Sequence, residues 1–435
     1  MREMKDSGVK WVGEIPSSWK VYKVKQIANS NSEVLPENYD EEQEIDYIEI
    51  GSVTYEHGVR TTEKMKFGNA PSRARRIVHN GDTIISTVRT YLKAIAYIDD
   101  SLADKIVSTG FSVVTPHKDV VGKFLYYALS THSFISNVEA HSVGISYPAI
   151  NNSNLMNLKI VLPMQCEQIQ IASYLDSKCS RIDEIIEAHQ VIIEKLKEYK
   201  LSIITEAVTK GINPNVEMKE SGIEWIGKIP MKWHVGKTLY ALSMPITDGP
   251  HETPELFDKG IPFVSAEAVS CGNGVIDFEH IRGYISQEFY EECCKKYVPK
   301  INDIYMIKSG ATTGKVAIVD TDRKFAIWSP LAVFRCDPDK MNYMYLLYFL
   351  QSDVYQKQVQ DKWTYGTQQN IGMRSLEKLF VCFPSLDEQR NIADYLNEQC
   401  IRIEKNINER KLIIQKLKEY KKSLIYEVVT GKKEV

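Results

Sequence analysis

The strongest constraint on this chain is a long internal repeat. Positions 4–16 (MKDSGVKWVGEIP) return with five changes at positions 218–230 (MKESGIEWIGKIP), an offset of 214 residues. Further along, KLKEYK at 195–200 recurs at 416–421, an offset of 221 residues. Self-similarity of this kind indicates one structural unit used twice. We therefore predict a pseudo-symmetric molecule of two half-chain units, an arrangement suited to a target that has two parts.

Length and composition agree with this prediction. A chain of 435 residues is too long for a single hydrophobic core and suits two or more domains. Hydrophobic residues at 43% and charged residues at 26% are typical of a folded protein. The net charge of −3 argues against binding nucleic acid through overall charge alone. Any contact with DNA must therefore come from local basic clusters.

The cysteines and the N-terminal residues predict a cellular compartment. Cysteines occur at 166, 179, 271, 293, 294, 336, 382 and 400, without the C-x-x-C spacing of a zinc site or a disulfide framework. The first residues lack an apolar signal core, and no run approaches the ~20 apolar residues of a membrane span. We predict a cytoplasmic protein with reduced thiols, no metal site and no membrane contact.

Each repeat opens with the pattern Gly-x-Ile-Pro-x-x-Trp, which ends at Trp19 and at Trp233. Proline favours an extended or turn conformation of the chain at this point. Because tryptophan has a large apolar side chain, we predict that each tryptophan is a structural anchor that packs on the domain behind it. Short β-type runs separated by turns follow in each repeat: 82–88 and 93–98 in the first, 303–307 and 315–319 in the second. Equal spacing with different residues predicts one fold that carries two different surfaces.

A helical pattern begins at Glu167 and extends to about Val208. Residues seven apart, with a second set at intervening d-type positions, predict a heptad seam made by Ile182, His189, Leu196 and Ile203 with Ile185, Ile192 and Tyr199. The second repeat keeps Ile403, Leu417, Leu424, Ile413 and Tyr420 but places Asn406 and Arg410 on the seam. Glycine and proline signals predict helix ends at Gly211 and at Thr430-Gly431.

Two helices of ~40 residues, each ~60 Å long, exceed what a compact domain needs. One alternative is that each helix packs only on its own β-rich domain. The matching length and phase favour a mutual coiled coil, because each seam would otherwise lack a partner of its own length.

The motifs of bond-making chemistry are incomplete in this sequence. The run SGATTGKV at 309–316 is one residue short of a phosphate-binding loop and is followed by a strand pattern instead of a helix. His251-Glu252 is followed by Pro254 and lacks the second histidine of a zinc helix. No nucleophile elbow or dinucleotide fingerprint is present in the sequence. We predict that the chain is not an enzyme.

Positions 218–230 with Trp233 resemble the opening of a repeat in the specificity subunits of type I restriction-modification enzymes, the HsdS family. That family closes its variable domains with a recurring pattern, matched here by Gly366, Ile371, Leu376, Leu379, Pro384, Glu388 and Gln389. The first repeat is similar, with Gly144, Ile150, Leu155, Leu158, Pro163, Glu167 and Gln168. It departs by one extra residue after Gly144 and by Ser-Tyr-Pro at 146–148 in place of Thr-Gln-Gln at 367–369.

This resemblance implies an α+β fold of two pseudo-symmetric repeats. Each repeat is a β-rich, mixed α/β target-recognition domain followed by a long helix, and the two helices form an antiparallel coiled coil that acts as a ruler. The implied limits are 1–163 for the first recognition domain, 164–211 for the first spacer helix, 212–384 for the second recognition domain and 385–435 for the second spacer helix.

The implied function is that of the sequence-specificity subunit of a type I DNA restriction-modification complex. Such a subunit binds a bipartite site in double-stranded DNA, and two methyltransferase subunits and the nuclease-translocase restriction subunits assemble on it. S-adenosylmethionine, ATP and Mg²⁺ are expected only on those partners, so no cofactor is expected on this chain. Two alternatives from other classes are a stand-alone DNA-modifying enzyme and a structural coiled-coil adaptor.

Base recognition uses the forked donors and acceptors of Arg, Asn and Gln, with Lys, Ser and Thr on phosphates. In the first domain the predicted DNA contacts are Arg73, Arg75, Arg76, Thr87, Arg89, Tyr91, Lys93, Ser146, Tyr147, Asn151 and Asn152. In the second they are Lys308, Ser309, Thr312, Thr313, Lys315, Tyr365, Thr367, Gln368, Gln369 and Asn370.

Overall fold

A computed structural model describes residues 2–365 and 369–435 of the chain. The chain forms two compact units, the first made by Met1–His189 with Lys411–Val435 and the second by Gln190–Arg410. The first unit therefore combines an early and a late segment of the sequence, whereas the second is continuous.

The first unit contains a series of short strands and three short helices. The strands are β1 (Met4–Asp6), β2 (Glu14–Pro16), β3 (Lys20–Lys23), β4 (Ala28–Ser30), β5 (Glu44–Ile48), β6 (Val53–Thr54), β7 (Gly58–Val59), β8 (Glu63–Lys66), β9 (Ala74–Ile77), β10 (Thr83–Ser86), β11 (Ile95–Tyr97), β12 (Ile106–Ser108), β13 (Phe111–Pro116) and β14 (Lys159–Leu162). The helices are α1 (Gly122–Ser130), α2 (His132–Ala140) and α3 (Asn152–Asn157), and the long helix α4 (Gln165–Lys210) follows.

The second half of the chain has a similar series of short strands and helices. Its strands are β15 (Met218–Glu220), β16 (Lys228–Pro230), β17 (His234–Lys237), β18 (Thr247–Asp248), β19 (Ile261–Val264), β20 (Tyr284–Ile285), β21 (Ile304–Ile307), β22 (Val316–Ile318), β23 (Ala326–Ile327), β24 (Leu331–Phe334), β25 (Thr364–Tyr365), β26 (Gln369–Asn370) and β27 (Phe380–Phe383). Its helices are α5 (Ala266–Cys271), α6 (Gln287–Lys296), α7 (Tyr343–Gln351), α8 (Asp353–Asp361), α9 (Met373–Lys378) and the long helix α10 (Leu386–Val429).

Two four-stranded sheets form the β-rich part of the first unit. One is antiparallel in the order β11-β10-β13-β4, and the other has the order β8-β5-β12-β9 with β5 and β12 parallel. Every residue of β10 is buried. Ile85 packs in a core with α1 and α2, whereas Ile84 lies in a second core with Ile98 and Val113. A strand covered on both faces explains the continuous apolar run in the sequence.

The second unit contains the same sheet in the order β18-β24-β21-β22, again antiparallel. The register also matches, since Thr83 of β10 faces Val114 and Ile304 of β21 faces Phe334. A smaller sheet, β20-β19-β23, contains a parallel pair as its counterpart in the first unit does. The predicted use of one β-rich fold in both repeats is confirmed.

The opening tryptophan of the second repeat is buried where α4 ends. Gly211 follows the helix with a φ of +78°, a left-handed conformation that favours glycine. A Cβ there would lie 3.4 Å from the ring of Trp233, which is buried. The indole N–H of Trp233 donates 2.9 Å to Glu388 at the start of α10. One tryptophan thus contacts the end of one long helix and the beginning of the other.

The first unit has a similar contact between a buried tryptophan and the glycine that follows a long helix. Gly431 follows α10 with a φ of +71°, and a Cβ there would collide with Pro16 and lie 3.2 Å from the ring of Trp19. Trp19 is buried, as Trp233 is. The predicted anchoring role of both tryptophans and the predicted ends of both helices are confirmed.

The two long helices pair within each unit. In the first unit Lys421 of α10 is 2.6 Å from Asp183 of α4, and Arg2 bridges Glu167 and Glu434 at 2.8 and 3.2 Å. Positions therefore rise along one helix as they fall along the other, which is an antiparallel pairing. In the second unit Lys200 of α4 is 2.7 Å from Glu404 of α10, and the end of α4 lies beside the start of α10, again antiparallel.

The heptad seam differs from the prediction by one residue at its intervening positions. Ile182 is buried as predicted, but the next buried residues are Ile186 and Ile193, whereas Ile185 and Tyr199 are exposed. The sequence spacing could not distinguish these sets because adjacent isoleucines occupy 185–186 and 192–193. Packing along the antiparallel helix pair selects the second isoleucine of each pair.

The same correction applies to α10. Ile403 is buried and Arg410 is half-buried on the seam, but Ile407 takes the intervening position and Asn406 is exposed. The predicted seam residues Ile413 and Tyr420 are also exposed. Both helices thus carry apolar residues that their own packing leaves in solvent.

A glutamine near the start of each long helix forms hydrogen bonds with the backbone of the adjoining domain. The side-chain oxygen of Gln168 accepts from the N–H of Val121 at 2.8 Å, and its amide donates to the carbonyl of Pro163 at 3.0 Å. Gln389 makes matching bonds of 2.7 and 3.0 Å to the backbone before α7 and before α10. Both glutamines are buried, so these bonds fix each helix to its own domain.

The second unit also contains a buried ionic network. Both carboxylate oxygens of Asp303 accept from Arg335 at 2.7 Å, and one also accepts from the hydroxyl of Tyr297 at 2.5 Å. Asp303 is 1% exposed. Burial raises the pKa of Tyr297, which keeps its hydroxyl protonated and able to donate.

Replacing Asp303 by alanine is expected to lower the free energy of unfolding of the second unit by about 3–5 kcal/mol, since Arg335 and Tyr297 lose their buried acceptor. Urea unfolding of the full chain measures this. The matched control, Asp258→Ala, removes an exposed loop aspartate of the same unit and should change stability by less than about 0.5 kcal/mol. Equal unfolding midpoints for the two variants would contradict this role of Asp303.

Candidate nucleic-acid interface

The segment that follows β10 in the first unit forms a short exposed turn. Thr90–Leu92 is a single 3-10 turn flanked by Arg89 and Lys93, whose φ angles are +52° and +55°. Left-handed residues at both ends reverse the chain sharply. Arg89 and Tyr91 are left exposed, while Lys93 forms an ion pair of 3.5 Å with Glu139.

A second predicted segment, 142–152, packs beside this turn. The backbone N–H of Ile150 donates to the carbonyl of Thr87 at 2.9 Å. The guanidinium of Arg89 lies 5.2 Å from the centre of the Tyr147 ring, within the range of a cation–π contact. Ser146 and Tyr147 are exposed at the far end of this segment. The structure thus brings together two polar segments that are distant in sequence.

The arginine-rich segment 73–76 joins the same surface through the backbone. The N–H of Thr109 donates to the carbonyl of Arg73 at 2.8 Å. At the next residue, the carbonyl of Gly110 accepts from both the N–H and the hydroxyl of Thr87, at 2.8 and 2.9 Å. The three segments predicted to contact DNA therefore adjoin one another in the first unit.

The three arginines of this segment differ in their surroundings. Arg73 is half exposed and ion-paired with Glu49. Arg75 lies 4.8 Å from the centre of the Phe67 ring. Arg76 is half-buried in β9, where burial lowers its pKa. Arg73 is the arginine of the three best placed to reach a ligand in solvent.

The two asparagines that end the 142–152 segment have partners inside the unit. The side chain of Asn151 caps α3 by accepting from the N–H of Asn154 at 2.7 Å. The amide of Asn152 donates to the hydroxyl of Ser30 at 2.7 Å and accepts from the hydroxyl of Ser112 at 2.6 Å. In this structure both side chains hold the fold around the loop.

The second unit builds the same surface from different residues. The N–H of Ile371 donates to the carbonyl of Lys308 at 2.9 Å, at the positions that Ile150 and Thr87 occupy in the first unit. The N–H of Gly310 donates to the carbonyl of Gln369 at 3.0 Å, so the segment after β21 adjoins the β25-β26 hairpin.

The other predicted residues of this unit lie along the same two segments. The Thr313 hydroxyl donates to the carbonyl of Gly310 at 2.7 Å, and the ammonium of Lys315 is 3.5 Å from the carbonyl of Ser270. Lys315 and Asn370 are exposed, and Ser309, Thr312 and Gln369 are half-buried. The backbone of Tyr365 pairs with that of Gln369. Thr367 and Gln368 lie outside the described residues.

Lys308 is held by a buried carboxylate. Its side chain is 12% exposed, and its ammonium lies 3.3 Å from Asp248, which is fully buried. Asp248 also pairs with Lys296 and, at 3.1 Å, with His251. Burial alone would raise the pKa of Asp248, but hydrogen bonds and charge from Lys296 and Lys308 lower it below its usual value.

His251 and Lys296 are candidate nucleic-acid contacts that the sequence patterns did not indicate. The N–H of Ser329 donates to the carbonyl of Pro250 at 3.2 Å, much as Thr109 donates to Arg73 in the first unit. The segment around His251 thus takes the place of the arginine-rich segment. Its basic residues come from separate parts of the sequence, so no local cluster indicated them.

The sequence of this repeated fold, with its two different loop surfaces, matches a known protein family. The profile of the type I restriction modification DNA specificity domain matches residues 16–198 and 251–411. The chain belongs to this family. One match falls mainly in each repeat of this DNA specificity protein, and both reach into a long helix.

Known specificity subunits are similar in sequence and in fold. The type I restriction enzyme MjaVIII specificity subunit of Methanocaldococcus jannaschii is 26% identical over 71% of this chain and 69% of that protein. A chain from a structural study of assembly and conformational transition of the type I R-M system has a TM-score of 0.74, covering 95% of this chain and 98% of its own length at 21% identity. The HsdS subunit of Thermoanaerobacter tengcongensis has a TM-score of 0.54 over 98% and 99% at 21% identity. These two likenesses establish the shared fold.

Two features are absent from residues 2–365 and 369–435. Within them, no helix has the length and apolar character needed to cross a membrane. Nor do three or more His, Cys, Asp or Glu side chains converge there as metal ligands would. The cysteines are free thiols, and burial raises the pKa of Cys336 and Cys382 to about 12.

Two substitutions separate a packing role from a contact role in this surface. Asn152→Ala is expected to lower the unfolding free energy by about 1–3 kcal/mol, because the hydroxyls of Ser30 and Ser112 lose their partner. Arg89→Ala should change stability by less than about 0.5 kcal/mol. It should instead weaken DNA binding by the assembled complex and reduce its salt dependence. Urea unfolding measures the change in stability, and fluorescence anisotropy measures DNA binding. Loss of stability in the Arg89 variant together with loss of DNA binding alone in the Asn152 variant would contradict this division.

Proposed function

We propose that this chain is the sequence-specificity subunit of a type I DNA restriction-modification complex. Each repeat contributes a target-recognition domain, 1–163 and 212–384, and each domain reads one half of a bipartite site in double-stranded DNA. The spacer helices, 164–211 and 385–435, set the distance between the half-sites. The chain itself makes and breaks no covalent bond.

The observation that carries this proposal is the pair of matched loop surfaces. The same backbone hydrogen bond closes both, from Ile150 to Thr87 and from Ile371 to Lys308. The exposed side chains differ, since the first surface presents an arginine stacked on a tyrosine and the second presents Lys315. A constant frame with two different sets of side chains is what the recognition of two unlike half-sites requires.

Catalysis in the complex belongs to the partners. Methyltransferase subunits bind S-adenosylmethionine and methylate adenine, and restriction subunits use ATP and Mg²⁺ for translocation and cleavage. Support for this division comes from membership of the specificity-domain family, whose relatives are specificity subunits.

The helices offer a repeated surface for two copies of one partner. Val191 and Leu412 are equivalent positions on α4 and α10, and both are exposed. Tyr199 and Tyr420 are likewise equivalent and are 55% and 52% exposed. Exposed apolar residues at repeated positions support two docking sites of the same kind. We assign them to two methyltransferase subunits.

Exchange of one recognition domain tests the modular proposal. Replacing residues 20–163 by the corresponding domain of another specificity subunit should change one half of the methylated sequence and leave the other half unchanged. Sequencing of N6-methyladenine in cells that express the chain with its methyltransferase measures this. A change in both halves, or in neither, would contradict the proposal. Methylation by the purified chain alone would support the stand-alone enzyme instead.

The docking assignment predicts a stepwise loss of partners. Tyr199→Ser and Tyr420→Ser should each weaken one methyltransferase site, and the double variant should weaken both, because the apolar contact is lost at each. Native mass spectrometry counts the methyltransferases per chain. Tyr240→Ser, at a tyrosine of similar exposure in the second unit, is the control. A double variant that still holds two methyltransferases at wild-type affinity would refute the assignment.

A further inference from the structure

The 141–150 loop of the first unit ends in an apolar tip formed by Val143, Ile145 and Tyr147. Val143 and Ala149 exchange backbone hydrogen bonds of 2.8 and 3.0 Å, so a single antiparallel bridge closes the loop into a narrow projection. Gly144 has a φ of +113°, and a Cβ there would lie 3.1 Å from the carbonyl oxygen of Tyr147. The turn is therefore tight and requires glycine at this position.

The side chains of this apolar tip have little protein around them. Ile145 is fully exposed, and Val143 and Tyr147 are 79% and 67% exposed. The neighbouring turn adds Tyr91 and Leu92, which are about half exposed. Five large apolar side chains in solvent are unfavourable unless a partner covers them. The apolar tip is therefore an interaction surface.

The surroundings of the apolar tip indicate that the partner is duplex DNA. The tip belongs to the candidate interface, because Ile150 at its base is bonded to Thr87. It also carries a positive charge, since Arg89 lies over the ring of Tyr147. The major groove, which is ~12 Å wide, admits a narrow projecting loop more readily than the minor groove at ~6 Å. The apolar group that base edges present in the major groove is the C5 methyl of thymine.

We propose that Val143 and Ile145 contact thymine methyl groups in the half-site that the first unit recognises. This inference rests on the proposed function and adds the chemistry of one half-site, which depends on apolar contact as well as on hydrogen bonds. Neither residue was indicated by the sequence, because the patterns typical of base and phosphate contacts consist of polar and basic side chains.

The test uses the assembled complex of this chain with its methyltransferase and duplexes that carry its methylated motif. Each half-site contains a thymine, because the adenine that is methylated pairs with one. Replacing every thymine of the first half-site by deoxyuridine removes only the C5 methyl groups. The expected result is a loss in affinity of roughly fourfold for each contacted methyl, the effect of one buried methyl group. The domain exchange described above identifies which half-site belongs to the first unit.

Two variants link this loss to the apolar tip. Ile145→Ser and Val143→Ser should bind the thymine duplex more weakly and should discriminate less between thymine and deoxyuridine in the first half-site. Neither should alter discrimination in the second half-site. Both side chains are exposed, so folding is preserved. Ile301→Ser, which removes an isoleucine that is 53% exposed in the second unit, is the matched control and should keep full discrimination.

Three results would overturn the inference. The first is equal binding of both duplexes by the unaltered complex. The second is full discrimination by both tip variants. The third is loss of the methyltransferase from a tip variant with discrimination intact, which would make the apolar tip a protein contact. A bipartite methylation motif without thymine discrimination would reject this inference alone, whereas the absence of a bipartite motif would reject the proposed function.

Discussion

The packing of a tryptophan against a helix-ending glycine organises each unit. In the second unit Gly211 lets α4 stop where the ring of Trp233 comes within contact distance, and the indole N–H binds Glu388. A residue with a Cβ at this left-handed position would strain the backbone and crowd the ring. Because one side chain contacts the end of α4, the opening segment and the start of α10, the antiparallel helix pairing and the position of the domain behind it follow from this contact.

The repeated parts of the sequence were the parts that could be predicted. Helix limits, buried tryptophans and matched strands all follow from local patterns that occur twice. The seam of α4 could not be placed, since Ile185 and Ile186 fit the spacing equally well and only the partner helix chooses between them. The roles of Asn152 and Lys296 depend on residues distant in sequence, Ser30 and Asp248, which no local pattern indicates.

Three cations of the candidate interface are already paired with carboxylates, in a chain whose net charge is −3. Arg73 pairs with Glu49, Lys93 with Glu139, and Lys308 with Asp248. A cation that already has a carboxylate partner contributes less to counterion release on DNA than a free one does. Under the proposed function, contacts with base edges, polar and apolar, therefore supply much of the selectivity.

The discontinuity of the first unit has a consequence for biosynthesis. The second unit is one continuous stretch, so all of it is synthesised before Lys411–Val435. Leu424 and Val428 belong to the same core as Phe124 and Ile182, and that core stays open until they arrive. The half of the protein that is synthesised first is thus completed last, and its apolar face stays uncovered in the interval.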